Sequence, residues 1–289
     1  MIDERRRTQW AGEQPRTRWI DQPSFPSRPD LRLGARSHRL GRAGGAAVDR
    51  ISVRHTVRTS TAEYSLLLNA PAWLGRRGVG EALGDAVAEL RAIDLTYGPN
   101  QPDSLVSKLR RGEISSGSYP PLADLVDRCA AMRAATDGWF DAWAVPGGFD
   151  PGGLLGGWAV ERATARLRAA GIHDYAVLSG ADLTVRGYAP HGGPWRVAVH
   201  HPTEARRAPM MLEMTAGAVG TSGVTGRRGH VVDPHTGEPA DQLVAATVVG
   251  PDLAMADAYA TALYAAGPVG LAWFRTGSDY QVLCADRRR

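Results

Sequence analysis

The amino-acid sequence predicts an α+β fold in which mixed sheets pack against helices. Segments with the period-two alternation of strands lie on both sides of a long helical stretch, and the order of elements shows no regular strand–helix repeat. Hydrophobic residues make up 43% and charged residues 22% of the 289 residues. This balance is that of a globular domain with a core of its own.

The first 50 residues differ in composition from the rest of the chain. They hold eleven Arg against six Asp or Glu, they are rich in Pro, Gly and Ser, and they show no periodicity. Such a composition predicts a disordered Arg/Pro/Gly-rich extension over residues 1–50 and a folded domain over 51–289. The whole chain carries a net charge of +4, so the folded part is nearly neutral and a nucleic-acid-binding core is not expected.

The predicted location of the protein is the cytoplasm. No stretch reaches the roughly 18 apolar residues of a membrane span, and no apolar segment follows the charged N-terminus as it would in a secretory signal. The two cysteines, Cys129 and Cys284, lie far apart and match no metal or redox spacing, so we expect two thiols.

The first half of the chain predicts two strands followed by three helices. Tyr64, Leu66 and Leu68 alternate as one face of a strand, and Val79, Leu83 and other apolar residues form the stripe of an amphipathic helix. The predicted strands are 53–58 and 63–68, and the predicted helices are 78–97, 104–111 and 120–135.

The second half predicts most of the sheet. A glycine-dense turn over 150–157 opens a helix over 158–170. The remaining predicted strands are 175–178, 183–186, 195–200, 212–216, 218–221, 244–249 and 280–284, and the remaining predicted helices are 254–266 and 271–276.

The turn at 150–157 carries four glycines directly before a helix. Backbone without side chains allows a ligand to approach closely, and a helix N-terminus favours an anionic group. The spacing is not that of the dinucleotide-binding fingerprint, and taken alone a plain tight turn is the better explanation of the glycines. The segment 179–182 lies between two strands and is typical of an ordinary hairpin turn.

Three polar residues in the last third of the chain are candidates for chemistry. Asp257 and Thr261 stand four residues apart on one face of a helix that is otherwise Ala, Leu and Tyr. They suit either a buried hydrogen bond or oxygen ligation of magnesium. His230 follows a loop containing arginines and begins an apolar pair, so it is either a structural histidine or a general base.

Taken in order, these segments resemble the ApbE-type flavin transferases, which move FMN from FAD onto a protein. The resemblance covers about residues 59–289. The segments that carry it are Asp94 with 103–109, then 136–141, 150–161, 179–183, 195–202, 221–223, 230–239 and 256–263.

The resemblance implies the fold, the reaction and the roles of individual residues. The expected fold is T-fold-related, with an FAD cleft between two lobes, and 51–289 is the expected flavin transferase domain. The expected reaction is magnesium-dependent transfer of FMN from FAD to a Thr or Ser hydroxyl in a short motif of an acceptor protein, with release of AMP. The protein is expected to be a monomer or a homodimer that spans no membrane and binds no nucleic acid.

The implied site has three parts. The expected catalytic residues are His230 and Asp257, and the expected ligands of Mg²⁺ are Asp257, Thr261 and a backbone oxygen near Leu155. The residues expected to bind FAD are Asp150, Gly152, Gly153, Gly156, Gly180, Asp182, Thr221, Ser222, Gly223, Arg227 and Asp233.

The chain departs from the family pattern at three single positions and in the stretch 224–226, where an aromatic and an acidic residue are common. Gly156 stands where a lysine is usual, Arg110 where an asparagine is common, and Ala181 where the turn usually has a second glycine. Two other functions therefore stay open. One is an FAD-binding protein of the same fold with little catalysis, and the other is an FAD pyrophosphatase that gives FMN and AMP.

Overall fold

The structure, a computed structural model, describes residues 49–200, 209–223, 231–274 and 279–286. The strands are β1 (Arg50–Arg58), β2 (Glu63–Pro71), β3 (Tyr175–Ser179), β4 (Asp182–Arg186), β5 (Trp195–Val199), β6 (Met210–Met214), β7 (Ala216–Gly223), β8 (Leu243–Gly250) and β9 (Gln281–Asp286). The α-helices are α1 (Gly75–Tyr97), α2 (Leu105–Arg110), α3 (Pro120–Ala135), α4 (Gly152–Ala169), α5 (Leu253–Ala266) and α6 (Gly270–Phe274).

Seven strands form one sheet in the order β1-β2-β3-β4-β7-β8-β9, and β5 pairs with β6 in a separate ribbon. Every pairing is antiparallel. The two sheets confirm the predicted α+β class, because neighbouring strands do not need the helical crossovers of a parallel sheet.

The large sheet is covered on both faces. On one face, Leu66 and Leu68 of β2 join the apolar residues of α1 and α4 in the main core. On the other face, Val185 of β4 packs with Val197 of β5 in a second core. Successive strand residues point to opposite faces, so this sheet separates a helical layer from the β5–β6 ribbon.

Most predicted elements are confirmed, and two boundaries were wrong. The predicted strand at 212–216 is interrupted at Thr215, where β6 has ended and β7 has not begun. The predicted glycine turn at 150–157 is mostly helix, since α4 begins at Gly152 and contains all four glycines and Leu155. The reason is the close packing of α4 described below.

The hairpin turn between β3 and β4 is confirmed. Ser179 pairs with Asp182, which leaves a two-residue connection, and Gly180 has a φ of 60°. A positive φ at the first central position is the conformation of a type II′ turn, which glycine adopts without strain. In the described part of the chain, no helix is long and apolar enough to cross a membrane.

Candidate active site

The centre of the candidate site is a cluster of oxygen atoms where α5 meets β7. Asp257 is 7% exposed, and Thr261 lies one helical turn further along α5. The hydroxyls of Thr261 and Ser222, a residue of β7, share a hydrogen bond of 2.9 Å. The predicted i, i+4 pair thus faces the predicted Thr-Ser-Gly segment, and the structure brings these residues together.

Two local features place α5 against the sheet. Asp252 caps the helix, because its Oδ1 accepts a hydrogen bond of 2.8 Å from the Met255 N–H. Gly220 of β7 lies directly beneath the backbone of Asp257, where a Cβ atom would collide with the Asp257 nitrogen. A residue larger than glycine would push α5 and its carboxylate away from the strand.

The first turns of α4 pack closely on the same helix. A Cβ atom at Gly153 would lie 2.7 Å from Thr261 Oγ1, and a Cβ atom at Gly157 would lie 2.6 Å from the Ala254 nitrogen. These glycines are therefore required for close approach of two helices, which is why they occur inside α4 despite their low helix propensity. Gly156 differs, because nothing lies within 4 Å of a Cβ atom there.

A second carboxylate lies beside the cluster. Asp182 Oδ1 accepts a hydrogen bond of 2.8 Å from the Thr221 N–H, while the Thr221 hydroxyl shares a 2.8 Å hydrogen bond with Thr247 of β8. Burial raises the pKa of Asp257, and repulsion from Asp182 raises that pKa further. The pKa of Asp182 is also raised by burial. A bound cation would relieve this repulsion.

The N-terminus of α4 is held by an ion pair. Asp150 Oδ1 accepts a hydrogen bond of 2.9 Å from the Gly152 N–H, and Asp150 Oδ2 lies 2.9 Å from Arg110 Nη2. The sequence pattern marked Arg110 only as a departure from the family. Its contact with Asp150 joins residues 40 positions apart, which no local signal predicts.

The turn containing Asp233 packs against the segment at 136–141. Asp233 Oδ1 accepts a 2.8 Å hydrogen bond from the His235 N–H, and the His235 ring lies 4.4 Å from the Trp139 ring, centroid to centroid. The structure thus joins two segments that carried the family resemblance separately. Trp139 was not among the predicted site residues.

Two predicted residues, Arg227 and His230, lie outside the described residues.

Two of the predicted FAD-binding glycines, Gly223 and Gly180, are needed by the fold itself. Gly223 packs against Ala245 of β8, where a Cβ atom would collide, and Gly180 forms the hairpin turn.

The oxygen cluster fits a magnesium ion. Mg²⁺ takes oxygen ligands, usually one or two carboxylates, and completes its shell with water and phosphate. The Asp257 carboxylate and the Thr261 hydroxyl offer such oxygens one helical turn apart on α5. Within the described ranges, no group of three or more His, Cys, Asp and Glu side chains converges on a metal site. The backbone oxygen of Leu155, a buried residue of α4, remains a predicted ligand.

The solved structures that resemble this fold include flavin transferases. The chain superposes on the flavin transferase ApbE from Vibrio cholerae with a TM-score of 0.71 and 19% identity, covering 83% of this chain and 94% of that one. It superposes on the apo form of the flavinyl transferase ApbE from Pseudomonas stutzeri with a TM-score of 0.67 and 23% identity, covering 82% and 95%. At these identities, the similarity establishes the fold.

The sequence comparisons agree with the fold. Residues 146–284 match the model of the ApbE family. A 122-residue segment is 35% identical to the FAD:protein FMN transferase of Escherichia coli strain K12, and covers 39% of this chain and 35% of that protein. A 174-residue segment is 33% identical to the Rhodobacter capsulatus protein of the same name, and covers 57% and 30%. Residues 146–284 thus carry the similarity to the ApbE family, and the matched segments span about a third of the length of these curated relatives.

Proposed function

We propose that this protein is a magnesium-dependent FAD:protein FMN transferase. The observation that carries the proposal is the convergence of Asp257, Thr261, Ser222 and Gly153 at one point between α4, β7 and α5. Oxygen ligands for a hard cation beside a helix N-terminus suit a pyrophosphate substrate. The family relatives named FAD:protein FMN transferase support FAD as that substrate.

In the proposed site, Asp257 and Thr261 hold the magnesium ion, with a backbone oxygen near Leu155 as a further ligand. A magnesium ion held by these residues would supply positive charge that offsets the charge on the pyrophosphate of FAD. Burial of Asp257 keeps bulk water away from its carboxylate and so strengthens its interaction with a cation.

The proposed reaction exchanges one phosphorus–oxygen bond for another. The oxygen of the acceptor hydroxyl attacks the phosphorus on the FMN side of FAD, and the bond between this phosphorus and the bridging oxygen breaks. AMP leaves with that oxygen, and FMN becomes a phosphoester of the acceptor. His230 takes the proton of the attacking hydroxyl in this proposal.

The proposed FAD cradle consists of the N-terminal turn of α4 and the strand ends around it. The positive end of the α4 dipole favours anionic phosphates near the start of this helix. The residues assigned to the cradle are Asp150, Gly152, Gly153, Gly156, Gly180, Asp182, Thr221, Ser222, Gly223, Arg227 and Asp233.

The proposed partner is an acceptor protein that carries a Thr or Ser in a short motif. The reaction attaches the flavin after the acceptor has been made, so the acceptor must expose this residue on a segment that reaches the site. We propose a cytoplasmic location, as the sequence predicts, and a monomeric or homodimeric state for the transferase.

One experiment separates transfer from the two other functions. The protein is incubated with FAD, Mg²⁺ and a protein that carries the acceptor motif, and flavin fluorescence on the denatured acceptor is measured together with AMP. Fluorescent acceptor with equimolar AMP supports transfer. AMP with free FMN indicates a pyrophosphatase, and tight FAD binding with neither product indicates a binding protein.

Two variants test the residue assignments in the same assay. Asp257→Asn keeps the shape of the side chain and is expected to abolish AMP release. Asp124→Asn is the matched control, because Asp124 is exposed on α3 and pairs only with Arg128 among the described residues. His230→Ala is expected to lower transfer while FAD binding is retained; equal losses of both would make His230 structural.

A further inference from the structure

We propose that Arg110 is a positioning residue for the site: through Asp150 it fixes the first turn of α4 against Thr261. This inference rests on the proposed function for its Mn²⁺-binding and activity readouts, whereas the hydrogen-exchange readout does not depend on that function. Its structural part concerns the protein without any ligand and can be tested separately.

The Arg110 guanidinium makes three contacts. Its Nε donates a hydrogen bond of 2.7 Å to the Phe149 carbonyl, and its Nη2 lies 2.9 Å from Asp150 Oδ2. Its Nη1 donates a 3.4 Å hydrogen bond to the Pro99 carbonyl. The Arg110 side chain is 22% exposed, and two backbone carbonyls and one carboxylate hold it in place. The planar fork of arginine spreads its N–H donors over three nitrogens in a fixed geometry, whereas lysine presents its donors from one nitrogen.

Asp150 connects Arg110 to the start of α4. One carboxylate oxygen pairs with Arg110, and the other accepts the hydrogen bond from the Gly152 N–H, the first residue of α4. The Asp150 N–H donates to the Ala142 carbonyl at 2.7 Å, which fixes the backbone at this point. Arg110 therefore orients the group that begins the helix.

The start of α4 in turn contacts Thr261 of the oxygen cluster. Gly153 follows Gly152 and lies so close to Thr261 that a Cβ atom would be 2.7 Å from its hydroxyl oxygen. A small shift of the first turn of α4 changes this contact directly. A continuous series of contacts thus runs from α2 through the start of α4 to α5.

The positive charge of Arg110 also favours binding of an anion at the start of α4. A carboxylate without a cation at the start of α4 would repel the pyrophosphate that the proposed site binds. Arg110 neutralises Asp150 while leaving its second oxygen bonded to the helix.

The test compares Arg110→Gln, Arg110→Lys and Asp150→Asn with the control Arg111→Gln. Arg111 is the next residue, has the same charge, and pairs with Glu113 on the surface. Two properties are measured on the ligand-free protein: hydrogen exchange of the amides at 152–155, and binding of Mn²⁺ by electron paramagnetic resonance. FAD binding and flavin transfer are measured afterwards.

We expect Arg110→Gln to accelerate exchange at 152–155 without accelerating exchange in β2 or β3. We also expect it to weaken Mn²⁺ binding by about tenfold, the size of effect that loss of a supporting contact has at metal sites. Arg110→Lys should restore little, because lysine lacks the fork. The double variant Arg110→Gln with Asp150→Asn should be no worse than Arg110→Gln alone, because the two residues act in series.

The proposal is overturned if Arg110→Gln leaves both properties unchanged, or if exchange rises uniformly across the sheet. An equal effect of Arg111→Gln overturns it too. If Arg110→Gln does not fold, Arg110→Lys and Asp150→Asn decide by the same criteria. If the unaltered protein transfers no flavin but local exchange responds as expected, the proposed activity fails and the positioning role stands.

Discussion

At the scale of single residues, the Thr261 hydroxyl has two neighbours that determine what it can bind. It shares a hydrogen bond with Ser222, and it faces the bare backbone of Gly153. We predict that Thr261→Val, which keeps the shape and removes the oxygen, weakens Mg²⁺ binding by about tenfold or more. Isothermal titration with MgCl₂ in the presence of FAD measures this effect.

The control for this prediction is Thr164→Val. Thr164 is a buried threonine on α4 whose hydroxyl bonds to the Glu161 carbonyl of its own helix. Its loss should change stability slightly and magnesium affinity not at all. Unchanged magnesium binding in Thr261→Val would remove Thr261 from the proposed ligands.

Replacing each of two glycines of α4 by alanine is predicted to have opposite effects on stability. At Gly153 a Cβ atom would lie 2.7 Å from Thr261 Oγ1, so Gly153→Ala must displace α4 or α5. Gly156 has open space, so Gly156→Ala should stabilise the helix by up to about 1 kcal/mol through helix propensity. We predict a lower melting temperature for Gly153→Ala and a slightly higher one for Gly156→Ala, measured by thermal denaturation.

These glycines also show why one part of the site could not be predicted from the sequence. Four glycines in eight residues are typical of a turn, because glycine is a poor helix former. In the structure, Gly153 and Gly157 allow α4 to touch α5, and this contact joins segments about 100 residues apart. A local pattern carries no information about such a partner.

At the scale of elements, α4 and α5 are joined by two carboxyl groups at the start of α5. Glu161 of α4 accepts a 3.1 Å hydrogen bond from the Ala254 N–H. Burial raises the pKa of Glu161 from 4.5 to about 8, and the hydrogen bond and charge of Asp252 contribute in the same direction. The protonated Glu161 side chain is therefore part of the contact between α4 and α5.

This pair predicts a pH dependence of stability with a definite sign. The folded protein keeps the Glu161 proton up to about pH 8, while the unfolded chain releases it near pH 4.5. The contribution of Glu161 is thus fully present below pH 4.5 and is lost as the pH rises towards 8. We predict that the urea midpoint falls over this range, and that Glu161→Gln, which stays neutral, makes the fall shallower. A slope that is the same in the variant would contradict this prediction.

Other elements were predictable because their signals are local. The apolar stripe of α1 and the alternation of Tyr64, Leu66 and Leu68 in β2 follow from periodicity alone, and both elements are confirmed. The Asp257–Thr261 pair was predicted because both residues lie on one helix. The contact between Arg110 and Asp150 depends on how α2 meets α4, and no periodicity encodes that.

At the scale of the whole molecule, the strand order shows the same limit. The strands were predicted with small errors at their ends, but their order in the sheet depends on pairings such as β4 with β7, which skip the β5–β6 ribbon. Long-range pairing is set by the burial of whole faces, which single segments do not reveal. The resemblance to the ApbE family supplied the fold where the local patterns could not.

The boundary of the folded domain gives the last prediction. β1 begins at Arg50 and pairs with β2 over its full length, and Arg50 forms an ion pair with Asp174 just before β3. The composition of the first 48 residues predicts an extension that adds nothing to this core. We therefore expect a chain beginning at Asp49 to melt within about 2 °C of the full chain, less than the shift caused by about 1 kcal/mol in a domain of this size.

A chain beginning at Glu63 is the matched comparison for this truncation. It lacks β1, so it exposes the edge of β2 and removes Val57, which is 3% exposed, from the main core. Losing one buried valine and nine strand pairings should lower the melting temperature by many degrees. If the chain beginning at Asp49 loses as much as the chain beginning at Glu63, the first 48 residues belong to the folded domain and the predicted boundary is wrong.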